Sequence, residues 1–264
     1  MHPLAIFGIT GRMGQSLLSA LREAPAFTLS GAIASPGSAR LGQDAAGEGP
    51  AAGVLITADA SLGLRGASVA LDFGSSGAVA AHAEACAAAR IPILVGATGL
   101  DAATHSVLGR AAKQIAVLVA PNTSVGASVT VDLAALAAQR LGLGYDVEIV
   151  EVHHRSKRDA PSGTALALGQ AVAAARGVSF DEVAAFDRSA RNAVRNPGSI
   201  GFASVRAGDI VGVHTVMFAA AGEQVEITHR ATDRITFARG ALRAAQWLLG
   251  RPAGLYGMRD VLGV

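Results

Sequence analysis

The chain is poor in charge, in aromatic residues and in cysteine. Charged residues make up 16% of its 264 positions and aromatics 4%, against 51% hydrophobic residues and 32 glycines. The one cysteine, Cys86, has no internal partner. No disulfide framework is available, so a reducing, cytoplasmic compartment is expected. Cys86 reads as a small core residue of a helix, not as a nucleophile. No lysine- or arginine-rich run with interleaved aromatics occurs, which argues against a nucleic-acid partner. No apolar run reaches spanning length without glycine or polar interruption, which argues against a membrane. The opening MHPLAIFGITG has no basic n-region and no cleavage site, so no secretory leader is expected. Low charge with abundant Ala, Val and Gly argues against a disordered chain. The length suffices for one large domain or two smaller ones. The net charge of +2 suits a small anionic ligand without selecting one.

What is present falls into two styles. In the first half, short apolar runs alternate with amphipathic ones. LAIFGI (4–9), LSGAIA (29–34), a short VLIT (54–57), SVALDF (68–73), IPILVGA (91–97) and AVLVAP (116–121) read as strands. Helices are predicted from Arg12 to about Ala24, up to Arg90 and after Asp101. This pattern predicts a parallel sheet with helices on both faces. The second half differs. Helices fit 126–141 and 162–175. DVEIVEVHH (146–154) alternates as a half-exposed strand does. After a polar stretch (187–198) come SIGFASVRA, IVGVHTVMFAA and QVEITHRA, separated by the turns Ala207-Gly208-Asp209 and Ala221-Gly222-Glu223. An antiparallel or mixed sheet is predicted there, then a helix from about Thr236 to Leu249. The composition shift near 122–126 is the predicted domain boundary.

GITGRMG (8–14) follows the first strand and opens the first helix, with spacing G-x-x-G-x-x-G. Glycines there allow a tight turn and let backbone N–H groups approach a pyrophosphate, and the helix N-terminus adds partial positive charge. A glycine-rich turn of any α/β protein is the bland alternative; the strand–turn–helix context outweighs it. An acidic residue at the end of the second strand would bind the ribose hydroxyls of NAD. The chain has Ala34-Ser35-Pro36-Gly37-Ser38 instead, and no carboxylate before Asp44. Arg12, Ser35 and Arg40 are candidates to receive a 2′-phosphate, which favours NADPH over NADH. Further candidates lie at strand ends: Asp72-Phe73-Gly74, Gly96-Ala97-Thr98-Gly99 and Ala120-Pro121-Asn122-Thr123.

EVHHRSKRDAPSGT (151–164) concentrates two histidines, cations and a helix-opening turn in a chain otherwise poor in charge. His153 and His154 close a strand, so their side chains point to opposite faces. Lys157 follows, and Pro161-Ser162-Gly163-Thr164 starts a helix with Ser162 or a neighbour as cap. Two imidazoles, an ammonium and a helix N-terminus make an anion site suited to a carboxylate. A histidine is also a natural proton donor near neutral pH. No ligand-spaced Cys or carboxylate cluster accompanies the pair, so no metal is expected. A solvated basic strand end is the alternative; the pair, the lysine and the Gly-Thr turn together outweigh it.

EVHHRSKRDAPSGTA closely resembles the E-x-H-H-x-x-K-x-D-A-P-S-G-T-A motif of the bacterial dihydrodipicolinate reductase family, now called 4-hydroxy-tetrahydrodipicolinate reductase. The resemblance runs over essentially the whole chain. It includes GxxGRMG (8–14), the Asp72-Phe73 pair, GxTG (96–99), A-x-N-x-S-V-G (120–126), GSIGFASVRAGDIVGVHTVMFA (198–219), EITHRA (226–231), R-x-T-F-A-x-G-A (234–241) and the terminal YGMRDVL. It implies an α/β chain: an N-terminal Rossmann dinucleotide-binding domain (1–124 and 234–264) and an α+β substrate-binding and tetramerisation domain with a mixed sheet (125–233). The implied reaction is reduction of 4-hydroxy-tetrahydrodipicolinate to tetrahydrodipicolinate, in lysine and diaminopimelate biosynthesis, by NADPH or NADH. In residues, the resemblance makes His153 the proton donor and Lys157 the catalytic lysine. His154, Gly163 and Thr164 become contacts of a substrate carboxylate, with Arg234 near the site. Gly8, Ile9, Thr10, Gly11, Arg12 and Met13, the Gly96-Ala97-Thr98 turn and the Ala120-Pro121-Asn122-Thr123 turn match the cofactor segments. A small dicarboxylate is the implied ligand, a homotetramer the implied assembly. Cofactor in one domain and substrate group in the other imply a hinge that closes a cleft and excludes water. The sequence departs from the family at three places: Ala34 replaces an acidic residue, Ala97 the first threonine of G-T-T-G, and Gly74 a threonine or serine.

Two other classes compete. A dinucleotide-binding sensor without chemistry needs no His–Lys group. A short-chain reductase needs Tyr-x-x-x-Lys, but Ile149 follows Tyr145 and Asp260 follows Tyr256 at that spacing. A reductase of an open-chain substrate, such as an aspartate dehydrogenase, is the runner-up.

Overall fold

The computed structural model of the chain describes residues 1–46, 53–189 and 194–263. The middle of the predicted polar stretch, 190–193, lies outside the described residues. In chain order the strands are β1 (His2–Phe7), β2 (Phe27–Ile33), β3 (Ile56–Thr57), β4 (Val69–Asp72), β5 (Ile93–Val95), β6 (Ala116–Val119), β7 (Asp146–His153), β8 (Ala184–Ala185), β9 (Ile200–Arg206), β10 (Gly212–Ala220), β11 (Glu223–Ala231) and β12 (Gly254–Tyr256). The helices are α1 (Arg12–Leu21), α2 (Ala60–Leu64), α3 (Val79–Ala89), α4 (Ala102–Ala111), α5 (Val125–Leu141), α6 (Gly163–Ala175), α7 (Phe180–Val183), α8 (Ile235–Leu248) and α9 (Met258–Leu262). None of the described helices is long and apolar enough to cross a membrane. They divide into two units, Met1–Val125 with Arg234–Val264, and Gly126–Asp233.

The first unit is built on a seven-stranded sheet of order β12-β6-β5-β4-β1-β2-β3, with every pair parallel. A parallel strand needs cover on both faces, and the alternation in β1 supplies it. Leu4 and Ile6 join a core with Leu17 and Leu21 of α1 and Ala241, Ala245 and Leu248 of α8. Ala5 and Phe7 face the other way, into a core with Ala83 and Cys86 of α3 and Leu108 of α4. Asp59 and Asp101 cap α2 and α4 by accepting from the Leu62 and Thr104 N–H groups. The strand order reverses between β1 and β4, and ligands of such sheets bind at the strand ends beside that reversal. Strand β12 restores the C-terminal segment to this sheet, pairing with β6. Its three residues are too short to carry a periodic signal, which is why the sequence reading passed over it.

The second unit carries a five-stranded sheet of order β11-β10-β7-β9-β8. It is mixed: β7 runs antiparallel to β10 and parallel to β9. One face is buried. Val147, Ile149, Ile200, Val216 and Phe218 pack against Leu168 and Val172 of α6 and Ala134 and Ala138 of α5. Strand β7 alternates strictly, with Val147, Ile149, Glu151 and His153 on the buried side. Its core face therefore ends in an acid and an imidazole. The strand stops at His153, and His154 lies just beyond it, where the sequence reading had both histidines closing the strand.

Candidate functional site

In the first unit the turns after β1, β4, β5 and β6 are tied side by side. The Gly8 and Ile9 N–H groups donate to the Ile33 carbonyl (2.9 and 3.1 Å), Phe73 N–H to Phe7 (3.1 Å), Gly96 N–H to Asp72 (2.8 Å) and Ala120 N–H to Val95 (2.9 Å). Gly8 sits at φ +76°, and a Cβ there would lie 2.7 Å from the Phe73 carbonyl oxygen. Only glycine fits both the turn and the neighbour. A Cβ on Gly14 would overlap the Ile9 carbonyl, so α1 can start this close to β1 only with glycine there.

Gly11 caps α1 without a side-chain hydrogen bond, and no acidic residue occupies the first turn. The leading N–H groups of this helix have no intrahelical partner and are the positive end of its dipole. Beside them lies a pocket of about 280 Å³. Met13, Gly96, Ala97, Thr98, Pro121 and Thr123 line it, together with Phe73, Gly74 and Phe237. Thr123 donates its hydroxyl to the Phe237 carbonyl at 2.7 Å, which fixes the β6 turn to α8. An uncapped helix N-terminus behind a glycine turn fits a pyrophosphate, and the largely apolar pocket fits a flat ring.

The remaining residues expected to bind cofactor lie outside that pocket. Ile9 is fully buried; its N–H is used by Ile33 and its carbonyl accepts from Gln15 Nε2 at 2.9 Å. Ala120 is buried in the core behind the turn. Asn122 spends its side-chain oxygen on the Ser124 N–H at 2.8 Å. Gly8, Thr10 and Gly11 form the turn itself, and Arg12 is exposed on it. Ser35 is exposed at the end of β2, beyond the buried Ala34. Arg40 is held in its own loop by the carbonyls of Asp44 and Ala45, each at 3.4 Å. Asp44, the first carboxylate after β2, accepts from Ala46 N–H (3.0 Å) and Gly53 N–H (2.7 Å).

Next to the pocket, Asp72 is fully buried. It accepts from the Gly74 N–H at 2.9 Å and pairs with His82 Nδ1 at 2.8 Å. His82 stacks on Phe7, 4.1 Å between ring centres. Burial pushes the Cys86 thiol far up, and the Asp72 charge adds to it. Among the described residues no group of three or more His, Cys, Asp or Glu is placed to hold a metal ion.

In the second unit, His153 is 8% exposed and Glu151, two residues back on the same face, is 1% exposed. His153 Nδ1 is hydrogen-bonded to Glu151 Oε2. Arg206 reaches the same carboxylate from β9 with both terminal nitrogens, at 2.9 and 2.7 Å. The Ser162 N–H donates to Glu151 Oε1 at 3.2 Å. The Ser162 oxygen accepts from the Ala165 N–H as the cap of α6, and lies 2.8 Å from His214 Nε2. Gly163 and Thr164 are the first two residues of that helix. Lys157 Nζ pairs with Asp159 at 2.8 Å, and His154 Nδ1 lies 2.9 Å from the Ser156 hydroxyl. Arg234 stands in the first unit, immediately before α8.

Burial pushes the Glu151 carboxyl up, but the hydrogen bonds from Arg206, Ser204 and His153 outweigh it and bring it down to about 2. His153 is lowered, chiefly by burial; Glu151 opposes this, while Lys157 and Arg206 add to it. Burial, then the neighbouring His153, brings His214 down to about 4. The cluster sets an imidazole that gives up its proton readily beside a lysine and a helix N-terminus, with Glu151 opposing that loss.

Sequence reasoning brought out His153, His154, Lys157, Gly163 and Thr164 but missed Glu151, Arg206, Ser204 and His214 around them. A period-2 reading of β7 places Glu151 beside His153. Arg206 and His214 come from β9 and β10, where only the strand register reveals them.

The chain matches known proteins along its whole length. Residues 2–123 match the family model described as dihydrodipicolinate reductase, N-terminus, and residues 126–262 the model described as dihydrodipicolinate reductase, C-terminus. The 4-hydroxy-tetrahydrodipicolinate reductase of Thiobacillus denitrificans is 50% identical over 99% of this chain and 98% of its own. That of Herminiimonas arsenicoxydans is 45% identical over the same shares. Among solved structures, a dipicolinate-bound dihydrodipicolinate reductase from Paenisporosarcina sp. TG-14 aligns with a TM-score of 0.75. It covers 98% of this chain and 99% of that one at 24% identity, a likeness of fold.

Proposed function

Because the chain belongs to the dihydrodipicolinate reductase family of NAD(P)H-dependent oxidoreductases, we propose that it reduces 4-hydroxy-tetrahydrodipicolinate to tetrahydrodipicolinate in lysine and diaminopimelate biosynthesis. The observation that carries this reading is the buried imidazole of His153, held at Nδ1 beside Lys157 and the start of α6. A dinucleotide-binding sensor has no use for such a group. When bound, a nicotinamide would supply the hydride. Gly8, Gly11, Arg12 and Met13 at the start of α1 would hold its phosphates, and Gly96, Ala97, Thr98, Pro121 and Thr123 of the pocket would confine its ring. Thr10, Ile9, Ala120 and Asn122 shape those turns.

His153 presents a proton at Nε2, its Nδ1 being committed to Glu151, and gives it to the ring carbon that becomes electron-rich. Lys157 and His154 offset the charge of a substrate carboxylate and of the transition state. Gly163 and Thr164 grip a carboxylate at the N-terminus of α6, and Arg234 is a further substrate contact by its place in the family motif. NADPH is the favoured donor. β2 ends on a buried alanine and the exposed Ser35, Arg12 is exposed at the start of α1, and Asp44 is spent on its own loop. The proposal extends to a cytoplasmic homotetramer built through the second unit's sheet, whose light-scattering mass would be that of four chains.

The test is His153→Ala. Its kcat should fall by about a hundred- to ten-thousand-fold with NADPH affinity intact. Near-normal turnover would remove the proton donor from the account.

A further inference from the structure

The carboxylate of Glu151 is shared by more groups than an ordinary ion pair needs. Arg206 Nη1 and His153 Nδ1 meet Oε2; Arg206 Nη2 and the Ser162 N–H meet Oε1. The Ser204 hydroxyl adds a further bond. An ionised carboxylate offers about four lone-pair sites, so this one is saturated. Two of its partners lead to the proposed chemistry. His153 is the proton donor, and Ser162 is the cap immediately before Gly163 and Thr164.

We propose that Glu151, clamped by Arg206, is a positioning residue that sets the proton donor and the carboxylate-gripping helix turn from one point. The inference rests on the reading of His153 as the donor. A carboxylate at Nδ1 keeps the neutral ring protonated at Nδ1, so the proton given to substrate leaves from Nε2 and returns there. Nε2 has no hydrogen-bond partner among the described residues. A Cβ on Gly212 of β10 would lie 3.1 Å from it, so glycine there keeps the nitrogen uncrowded. Glu151 takes no proton itself. The charged and titratable groups that bear on His153 are Glu151 on its own strand, Lys157 and Asp159 on the loop after β7, Arg206 on β9 and His214 on β10. His214 is 5% exposed, and its ring centre lies 5.0 Å from that of His153. With Glu151 neutralised, the cations and burial act on His153 unopposed.

The experiment is the pH dependence of kcat and KM for Glu151→Gln and Glu151→Asp, beside the unaltered chain. Glu151→Gln keeps an oxygen to accept from the Ser162 N–H, so the α6 turn stays held; it should lower kcat about tenfold or more and change KM less than about threefold. The alkaline limb, where His153 loses its proton, should move down by about one to three pH units, the usual effect of removing a contacting opposite charge. Glu151→Asp should return the limb to its original position. An unmoved limb in Glu151→Gln, or a rise in KM matching the fall in kcat, overturns the proposal as a merely structural role. Nitrogen-15 NMR of the unaltered chain supplies an arm that needs no variant to fold. The neutral His153 should carry its proton on Nδ1, and a ring protonated at Nε2 overturns the proposal. If His153→Ala keeps its turnover, the donor reading itself has failed. A disabled His153→Ala with an unmoved limb in Glu151→Gln defeats this inference alone.

Discussion

Replacing Arg206 by methionine keeps most of the side chain's apolar stem and deletes the guanidinium. Four interactions go with it: two charged hydrogen bonds to Glu151 at 2.9 and 2.7 Å, one to the Asp159 carbonyl at 2.6 Å and one to the Val205 carbonyl at 2.8 Å. The partner left behind is a carboxylate only 1% exposed. Removing one member of a buried pair costs about 3–5 kcal/mol, because the other charge stays desolvated. Arg206 keeps 19% of its side-chain surface, and His153, Ser162 and Ser204 still donate to Glu151. The expected loss is therefore at the low end, about 3 kcal/mol at pH 7. The pH dependence follows from the sign of the shift. In the unaltered chain Glu151 is held down at about 2 against an ordinary 4.5. Its stabilisation is complete above 4.5 and is lost as pH falls from there through 2. Without Arg206, burial dominates and raises the carboxyl, so acid neutralises the buried charge and relieves the variant. The gap between the two proteins should be widest at neutral pH and shrink below about 4.5. Urea unfolding at pH 7 and pH 4, with hydrogen exchange at the β7 and β9 amides to isolate the second unit, measures both. An unchanged stability at pH 7, or a gap that widens on acidification, refutes the reasoning.

Three further outcomes are expected. Gly240→Ala puts a methyl into the Thr123 carbonyl, and both Thr123 and Phe237 of the adjoining turn line the pocket. It should cost about 1–3 kcal/mol in thermal unfolding and weaken NADPH binding in a fluorescence titration; a variant with neither loss contradicts the packing argument. Ser162→Ala removes the α6 cap and the contact to His214, for about 1 kcal/mol by urea unfolding, with kcat falling as the turn loosens. Cys86 is buried with its thiol pushed up, so thiol reagents should leave the folded chain unlabelled. Stoichiometric labelling without denaturant would contradict that.

The parallel sheet was legible because its strands are short apolar runs bounded by glycine, proline and polar residues, each followed by a helix-forming segment. Gly8 and Gly14 were legible for a similar reason: the turn and the close approach of α1 can be read from spacing. The histidine group was visible as chemistry out of place in an uncharged chain. The partners of that group were not. Arg206 meets Glu151 across 55 residues, and the pairing exists only because β7 runs parallel to β9 with His153 opposite Arg206. His214 reaches the same cluster because it is opposite Glu151 on β10. Periodicity says which face a residue takes within its strand, not which strand will lie beside it. The cofactor turns divided in the same way. Their positions followed from the strand ends, but Ile9 and Ala120 faced the core, while Phe237 entered the pocket from α8, more than a hundred residues away. Lys157 was read as the ammonium of the anion site, and the Asp159 two positions on partners it.

The most direct measurement is the consumption of reduced nicotinamide by the unaltered chain, with the unstable cyclic substrate generated in place by its synthase. NADPH and NADH would be run in parallel. The account expects rapid oxidation that depends on the substrate, with the larger kcat/KM for NADPH. A chain that binds the dinucleotide and consumes neither form would contradict it and leave the fold without the reaction.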